Sequence, residues 1–526
     1  MLYTRYWSAA ALTLEPRLSS RWIANIAFFG TIISLPVPEA TFLLPDSHLY
    51  RPSPPPLASV IENILPSVGI RNHLSRGLQS TSALVQHCAA IALVKALVKY
   101  GLVLQAFRKA EGALEEDQDG QWWKRREEIE QEVARRVPEL QVVLAFVQQK
   151  TNEVHRPSTH ADTSFAKGSL LAESAQRLLW LYHEHLPSVV SGAHFDVGKL
   201  LLGVQDGDFA SDTAVQGLDA LRQLHVLRLL GKSEQFSLYG RSGGSDPSTQ
   251  SADSLMYSEG SSKSSLSILL KLYVNSTMRP TKAAVSSLLK QTLSNTLIFQ
   301  HNPDEVDSWL SALPFPRIVD AASDDSPFVH EVDTVIAFLD DCFQRCIKTP
   351  YRYLEELQRL WLPTTESDAN HESHSTFNPS PLFAAVVEQY KAKIASKLLS
   401  TPELLSVTCF LRRLLWALAQ TVDDITSLQR LAVGLRDHVG ENRELVGSSA
   451  RAGLQNELVL LDEGLSQITH PKPVGSSTSS AAQPFLDTEA DDLDLHVLLA
   501  HIIADNAITL RTCRAPPVPY STYSTV

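Results

Sequence analysis

Cys342 and Cys346 stand four residues apart, so on a helix both thiols would face one side and could share a metal ion. A structural zinc needs four ligands, and no second Cys/His pair lies at finger-like spacing, so the two read as small buried residues. His183 and His185 flank Glu184, and His371, Glu372 and His374 form a similar group. Neither group fits the metalloprotease helix pattern, which sets its histidines four apart, and both read as solvated. Gly192–Leu200 (GAHFDVGKL) has a faint look of a phosphate-binding loop. It has five residues rather than four between Gly192 and Gly198, and Leu200 where a hydroxyl should reach magnesium; no buried strand precedes it. Asp340-Asp341 and Asp423-Asp424 are adjacent and so diverge on a helix, where they serve a face or a cap. No Gly-x-Ser-x-Gly sits at a strand-to-helix elbow, and a dinucleotide fingerprint and the kinase signature set are missing. The sequence therefore assigns no catalytic, cofactor-binding or metal-ligating residue, no cofactor and no small-molecule substrate. The chain reads as no enzyme.

Trp122–Arg136 (WWKRREEIEQEVARR) mixes aromatic and basic residues, as an RNA-binding segment would. Glu127, Glu128, Glu130 and Glu132 interleave with the bases about one helical turn away, so a salt-bridged, solvated helix is the expectation. Over the whole chain 58 acidic residues outnumber 46 basic ones, for a net charge of -12. A grip on nucleic acid spread over the surface would need the opposite balance, because it works by displacing counterions. Five cysteines (Cys88, Cys342, Cys346, Cys409, Cys513), mostly in apolar runs, suit a reducing compartment. Trp22–Val37 is apolar and follows Arg17 and Arg21, but it begins late for a signal peptide, lacks a clean cleavage site and falls short of a span. It reads as a buried core helix, no other stretch competes as a membrane span, and no membrane partner is expected.

The elements that carry these residues are helical. One stripe runs through Leu84, Cys88, Ile91, Lys95 (by its stem), Val98 and Leu102. The same spacing recurs at 171–186, 214–230, 266–273, 282–293, 332–347, 351–361, 382–399, 403–419, 425–439 and 493–510, while period-two alternation is almost absent. Asn302-Pro303, Thr349-Pro350, Ser380-Pro381 and Thr401-Pro402 each set a capping side chain before a proline, a helix-start signal, and Glu305 completes a capping-box pattern with Asn302.

Polar stretches divide the chain into an apolar helical start (1–50), helical repeats (51–231), a Ser/Gly-rich linker (232–265), helical repeats (266–363), a polar linker (364–379), helical repeats (380–470), a linker (471–484), a terminal helix (485–513) and a tail (514–526). The expected fold is all-α: an irregular HEAT- or armadillo-like solenoid with disordered insertions.

Three stretches resemble the large nucleolar pre-ribosomal-associated proteins of fungi: Leu14–Asn25 running on to Ile33–Pro38, Phe299–Leu310 (FQHNPDEVDSWL), and Phe338–Leu354 (FLDDCFQRCIKTPYRYL). The resemblance implies a nucleolar helical-repeat scaffold that joins early large-subunit (60S) precursors and bears on rRNA maturation. It also implies pre-60S assembly factors as partners, a DEAD-box RNA helicase among them, and a contact with pre-rRNA that need not be direct. Family members are far longer, so a partial chain is expected. The rival reading is a generic helical-repeat adaptor in cytoplasmic trafficking or signalling, with the same architecture and other partners.

Overall fold

The computed structural model describes residues 14–45, 47–66, 69–117, 119–154, 162–192, 195–205, 213–233, 236, 238, 264–276, 278–314, 327–361, 379–396, 398–421, 425–441 and 448–467. By internal contacts the chain divides into a main unit, 1–208 with 218–469, and a smaller one, 209–217 with 470–526. All side-chain detail below belongs to the main unit. Among the described residues the elements are α-helices, one 3-10 turn (Glu39–Thr41) and a lone bridge between Leu43 and Tyr50. The fold is all-α. All but the last residue of the linker expected at 364–379, most of that at 232–265, the last linker, the terminal helix and the tail lie outside the described residues.

The amino-terminal helices are α1 (Ser20–Ile33), α2 (Leu57–Glu62), α3 (Ile70–Leu78), α4 (Ala83–Ala113), α5 (Gln121–Arg136), α6 (Leu140–Val154), α7 (Asp162–His185), α8 (Pro187–Val190), α9 (Gly198–Gln205) and α10 (Thr213–Lys232). α1 starts where Ser19 accepts a bond from the Trp22 amide, and it buries Trp22, Ile26, Phe29 and Ile33 at helical spacing. The apolar segment after Arg21 is thus a 14-residue core helix, shorter than a span.

α4 is the spine of this half, packed against α1, α3, α5 and α7. Two expectations fail on it. It is long and apolar enough, by length and composition, to cross a membrane, although most of its most apolar window is buried in the protein. The stripe read from the sequence is also its least buried side: Leu84 and Leu102 are 46% and 47% exposed, and Cys88, Ile91, Lys95 and Val98 only partly covered. Ala89, Leu93, Leu97, Tyr100, Leu104 and Phe107 form the covered side. A helix apolar almost all round offers periodicity no contrast to choose by. The Lys99 ammonium reaches the Leu35 carbonyl, tying α4 to the end of α1. Gly77 brings α3 onto α4 so closely that a Cβ there would stand 2.6 Å from that of Ala89.

α5 carries the expected pairs, Arg125–Glu128 (3.3 Å), Arg135–Glu132 (3.5 Å) and Arg136–Glu132 (2.9 Å), along with a tie to α4 through Arg126–Glu111 (2.7 Å). Its aromatic end is interior: Trp122 is fully buried against Phe107 and Phe42, ring centroids 5.1 and 6.0 Å away.

The second set comprises α11 (Ser265–Asn275), α12 (Arg279–Ser294), α13 (Glu305–Ala312), α14 (Pro327–Lys348), α15 (Pro350–Trp361), α16 (Pro381–Ser396), α17 (Thr401–Leu418), α18 (Ile425–Glu441) and α19 (Ser448–Gln467). Helices pack on near neighbours in sequence and on the next pair, α11 on α12 and α14, α14 on α16 and α17, and α17 on α19, the order of a stacked array. Proline opens α15 and α16 where the sequence sets it. α17 begins one residue early, with Ser400 as its cap in a capping box with Glu403. The Asn302 signal fails: the helix begins at Glu305 behind Asp304, which makes no side-chain cap bond, and Glu305 turns inward.

Candidate functional site

A groove of about 560 Å³ opens where the end of α10 meets α12 and the α14–α15 junction. Leu230, Phe236, Leu288, Leu297, Ile347 and Pro350 supply its apolar lining, with Ser233, Gln291, Thr292, Asn295 and Thr296 between them. Gln291 donates to the Gly231 carbonyl (3.0 Å) and so pins α12 to the end of α10. Thr292 and Thr296 donate their hydroxyls back to carbonyls of their own chain, Leu288 (2.7 Å) and Leu293 (2.6 Å). Among the described residues no ionisable side chain lines it. Such a groove can hold an apolar segment of a partner; it offers no group to carry a proton.

The ionisable groups gather elsewhere, in the core. Glu305 is buried and accepts from Trp309 Nε1 (2.9 Å), the Ser380 amide (2.8 Å) and Ser380 Oγ (2.7 Å), with the Asn302 side chain as a further partner. The contact joins α13 to the start of α16 across 75 residues. Burial pushes the Glu305 carboxyl up to about 7 against the pull of those bonds. Ser380, the residue before α16, thus donates its hydroxyl to Glu305.

A second cluster lies between α7 and α10. His225 Nε2 bonds Glu173 Oε1 at 3.1 Å, both residues being buried. The His225 ring stacks on Trp180 (centroids 5.5 Å apart, 17° between planes), and the Arg228 guanidinium covers the same indole at 5.0 Å. Burial pushes the imidazole below its ordinary value, so at neutral pH it is uncharged and donates from Nε2. Burial would raise the Glu173 carboxyl, but the His225 bond and the charge of Arg177 outweigh it and keep it ionised. His225 Nδ1 and Arg177 Nε find no protein partner.

The residues singled out in the sequence do not converge. Cys342 and Cys346 are fully buried free thiols, as expected, and burial pushes Cys346 up to about 12 and Cys342 well above the ordinary range. His183 and His185 are not solvated: both are half-buried, and burial draws His183 down to about 4 and His185 below its usual value. The end of α7 on which they sit is packed against α4, where the His185 ring meets Tyr100 edge-on. His371, Glu372, His374, Asp423, Asp424 and Cys513 lie outside the described residues. Among the described residues no group of three or more His, Cys, Asp or Glu side chains could hold a metal ion. The Glu173–His225 and Glu305–Ser380 contacts escape sequence reasoning because their partners lie 52 and 75 residues apart, with no local signature.

Stacked helices with a groove between them define an all-α helical-repeat protein. Residues 257–445 match the family model described as "URB1, central HEAT repeat domain". The chain is 22% identical to nucleolar pre-ribosomal-associated protein 1 of Mus musculus over 379 residues, 68% of the chain and 15% of that protein. Against the Homo sapiens protein of the same name it is 22% identical over 381 residues, with the same shares. By these matches the chain is similar to the nucleolar pre-ribosomal-associated proteins, and two of the three stretches that carry the sequence resemblance fall inside the matched domain. It spans about 15% of the length of the curated relatives it matches. No solved structure matches it.

Proposed function

We propose that the chain is a non-catalytic section of a nucleolar scaffold for early large-subunit (60S) assembly and rRNA maturation. The observation that carries this reading is the match of residues 257–445 to the central HEAT repeat domain of URB1, supported by the names of the two relatives. The partners are pre-60S assembly factors, a DEAD-box RNA helicase among them, held by protein–protein contact. Pre-rRNA is engaged through them: among the described residues the groove has no cationic lining, and the chain's charge of -12 disfavours a direct counterion-releasing grip. No catalytic, metal or cofactor residue is assigned.

The test is affinity capture of the tagged chain from whole-cell lysate, with protein and RNA analysis of the eluate. Recovery of large-subunit precursor RNA with assembly factors, lost on mild RNase-free disruption of protein contacts, supports the reading. Recovery of cytoplasmic trafficking or signalling proteins without pre-ribosomal material sinks it.

A further inference from the structure

Thr349 is the residue between α14, which ends at Lys348, and α15, which starts at Pro350. It is exposed, and its hydroxyl makes only a long 3.4 Å bond back to the Arg345 carbonyl. The chain holds five hydroxyl residues followed by proline: Ser53, Ser326, Thr349, Ser380 and Thr401. Kinases that require proline after the acceptor hydroxyl commonly read a base three places on, and only Thr349 has one, in Arg352. Among the others, Ser380 is buried and bound to Glu305, and Thr401 is half-buried behind the capping box of α17.

The surroundings of Thr349 favour a new negative charge. Residues 345–352 (RCIKTPYR) carry three bases and no acid, in a chain whose net charge is -12. Arg345 and Arg352 are more than half exposed and tied only to single carboxylates, Asp341 (3.2 Å) and Glu388 (2.7 Å). α15 is lightly held: Tyr353 and Leu357 are its buried anchors among the described side chains, and residues 351, 352, 355, 356, 358 and 359 are exposed. Its first turn can therefore open to the extended form a kinase binds, at modest cost.

We propose that Thr349 is a phosphorylation site for a proline-directed Ser/Thr kinase, and that the phosphate caps α15. In the transfer, Thr349 Oγ1 attacks the γ-phosphorus of ATP; the new O–P bond forms as the bond to the β,γ-bridging oxygen breaks. ADP departs and the hydroxyl proton passes to the kinase's base. The phosphate then stands at the cap position of α15, facing the unpaired amides and the positive end of the helix dipole. Arg352, at the third helical position, reaches back as the glutamate of a capping box does, with the charges exchanged. Ile347 and Pro350 line the groove, so the modification sets a dianion on the rim of a cleft whose described lining is uncharged.

The experiment incubates the full chain with a proline-directed kinase and magnesium ATP, maps phosphate by mass spectrometry, and follows amide exchange in α15. Thr349 is expected to be the principal site. T349A and P350A should each abolish its label, and R352Q, a surface change that leaves the threonine and proline intact, should slow labelling severalfold. Phosphorylation should slow exchange in the first turn of α15 about fivefold at low salt. Label on Ser53 or elsewhere with Thr349 unmodified, or Thr349 label indifferent to P350A and R352Q, overturns the site assignment. Unchanged or faster exchange in α15 of the phosphorylated chain overturns the capping.

Discussion

Replacing Glu305 by glutamine tests the core of the matched domain through one atom. The carboxyl serves both N–H donors at once: Oε2 accepts from the Ser380 amide and Oε1 from Trp309 and the Ser380 hydroxyl, and on protonation of Oε1 that hydroxyl has only to rotate to accept the new O–H. A glutamine offers one oxygen. Placed toward Trp309 it leaves the Ser380 amide facing an NH₂ group; turned round, it does the same to Trp309. Either way one buried N–H is orphaned, a cost of about 1–3 kcal/mol.

That cost must depend on pH, and its sign follows from the folded-state titration. Burial raises the Glu305 carboxyl from 4.5 to about 7, so the folded state holds the proton more tightly than the unfolded one. Stability from this group is complete below the unfolded value and is lost as pH rises through about 7, up to roughly 3 kcal/mol for a shift of this size. Glutamine does not titrate, so the penalty of E305Q is expected to be largest near pH 5 and to shrink, or reverse, above pH 8. Urea unfolding of both proteins, followed by tryptophan emission with Trp309 at the site, measures the difference; other titrating groups are common to both and cancel. An E305Q penalty equal at pH 5 and pH 8, or no penalty at pH 5, would refute the reasoning.

Gly77→Ala is expected to destabilise by about 1–3 kcal/mol, measured as a lowered unfolding midpoint, although alanine ordinarily favours a helix, because its Cβ would collide with that of Ala89. Glu173→Ala should cost about 3–5 kcal/mol in the same assay, since it strands the His225 Nε2 proton and the Arg177 charge in the core; a loss under about 1 kcal/mol would show that the pair is not buried as described. Cys342 and Cys346 should resist iodoacetamide at pH 8 in the native protein and react on unfolding, read by peptide mapping, because both are buried and burial holds their thiols protonated.

The architecture was legible where local chemistry decides it. Proline cannot extend a helix backwards past its first turn, so Pro350 and Pro381 mark the starts of α15 and α16 in the sequence itself. Glu305 shows the limit: with Asn302 it has the spacing of a surface cap, yet tertiary burial takes the carboxylate inward to a residue 75 places away. α4 shows another, since a helix covered on most sides carries no polar face to orient it, and its apolar stripe pointed to the wrong side. The pairing of Glu173 with His225 depends on how α7 and α10 meet, which no short window contains. The groove was illegible for the same reason: its lining comes from three separated segments.

α4 also sets a rule for how this chain can change. Its 31 residues, about 46 Å of helix, form one shared wall for α1, α3, α5 and α7. In an ideal array each unit leans only on the next, and whole units can be gained or lost without disturbing the rest. Here four helices depend on a common neighbour, so removing any one exposes a strip of the same beam. The amino-terminal half should consequently melt in a single step and tolerate neither duplication nor excision of its units, while the α11–α19 stack retains the freedom to lengthen.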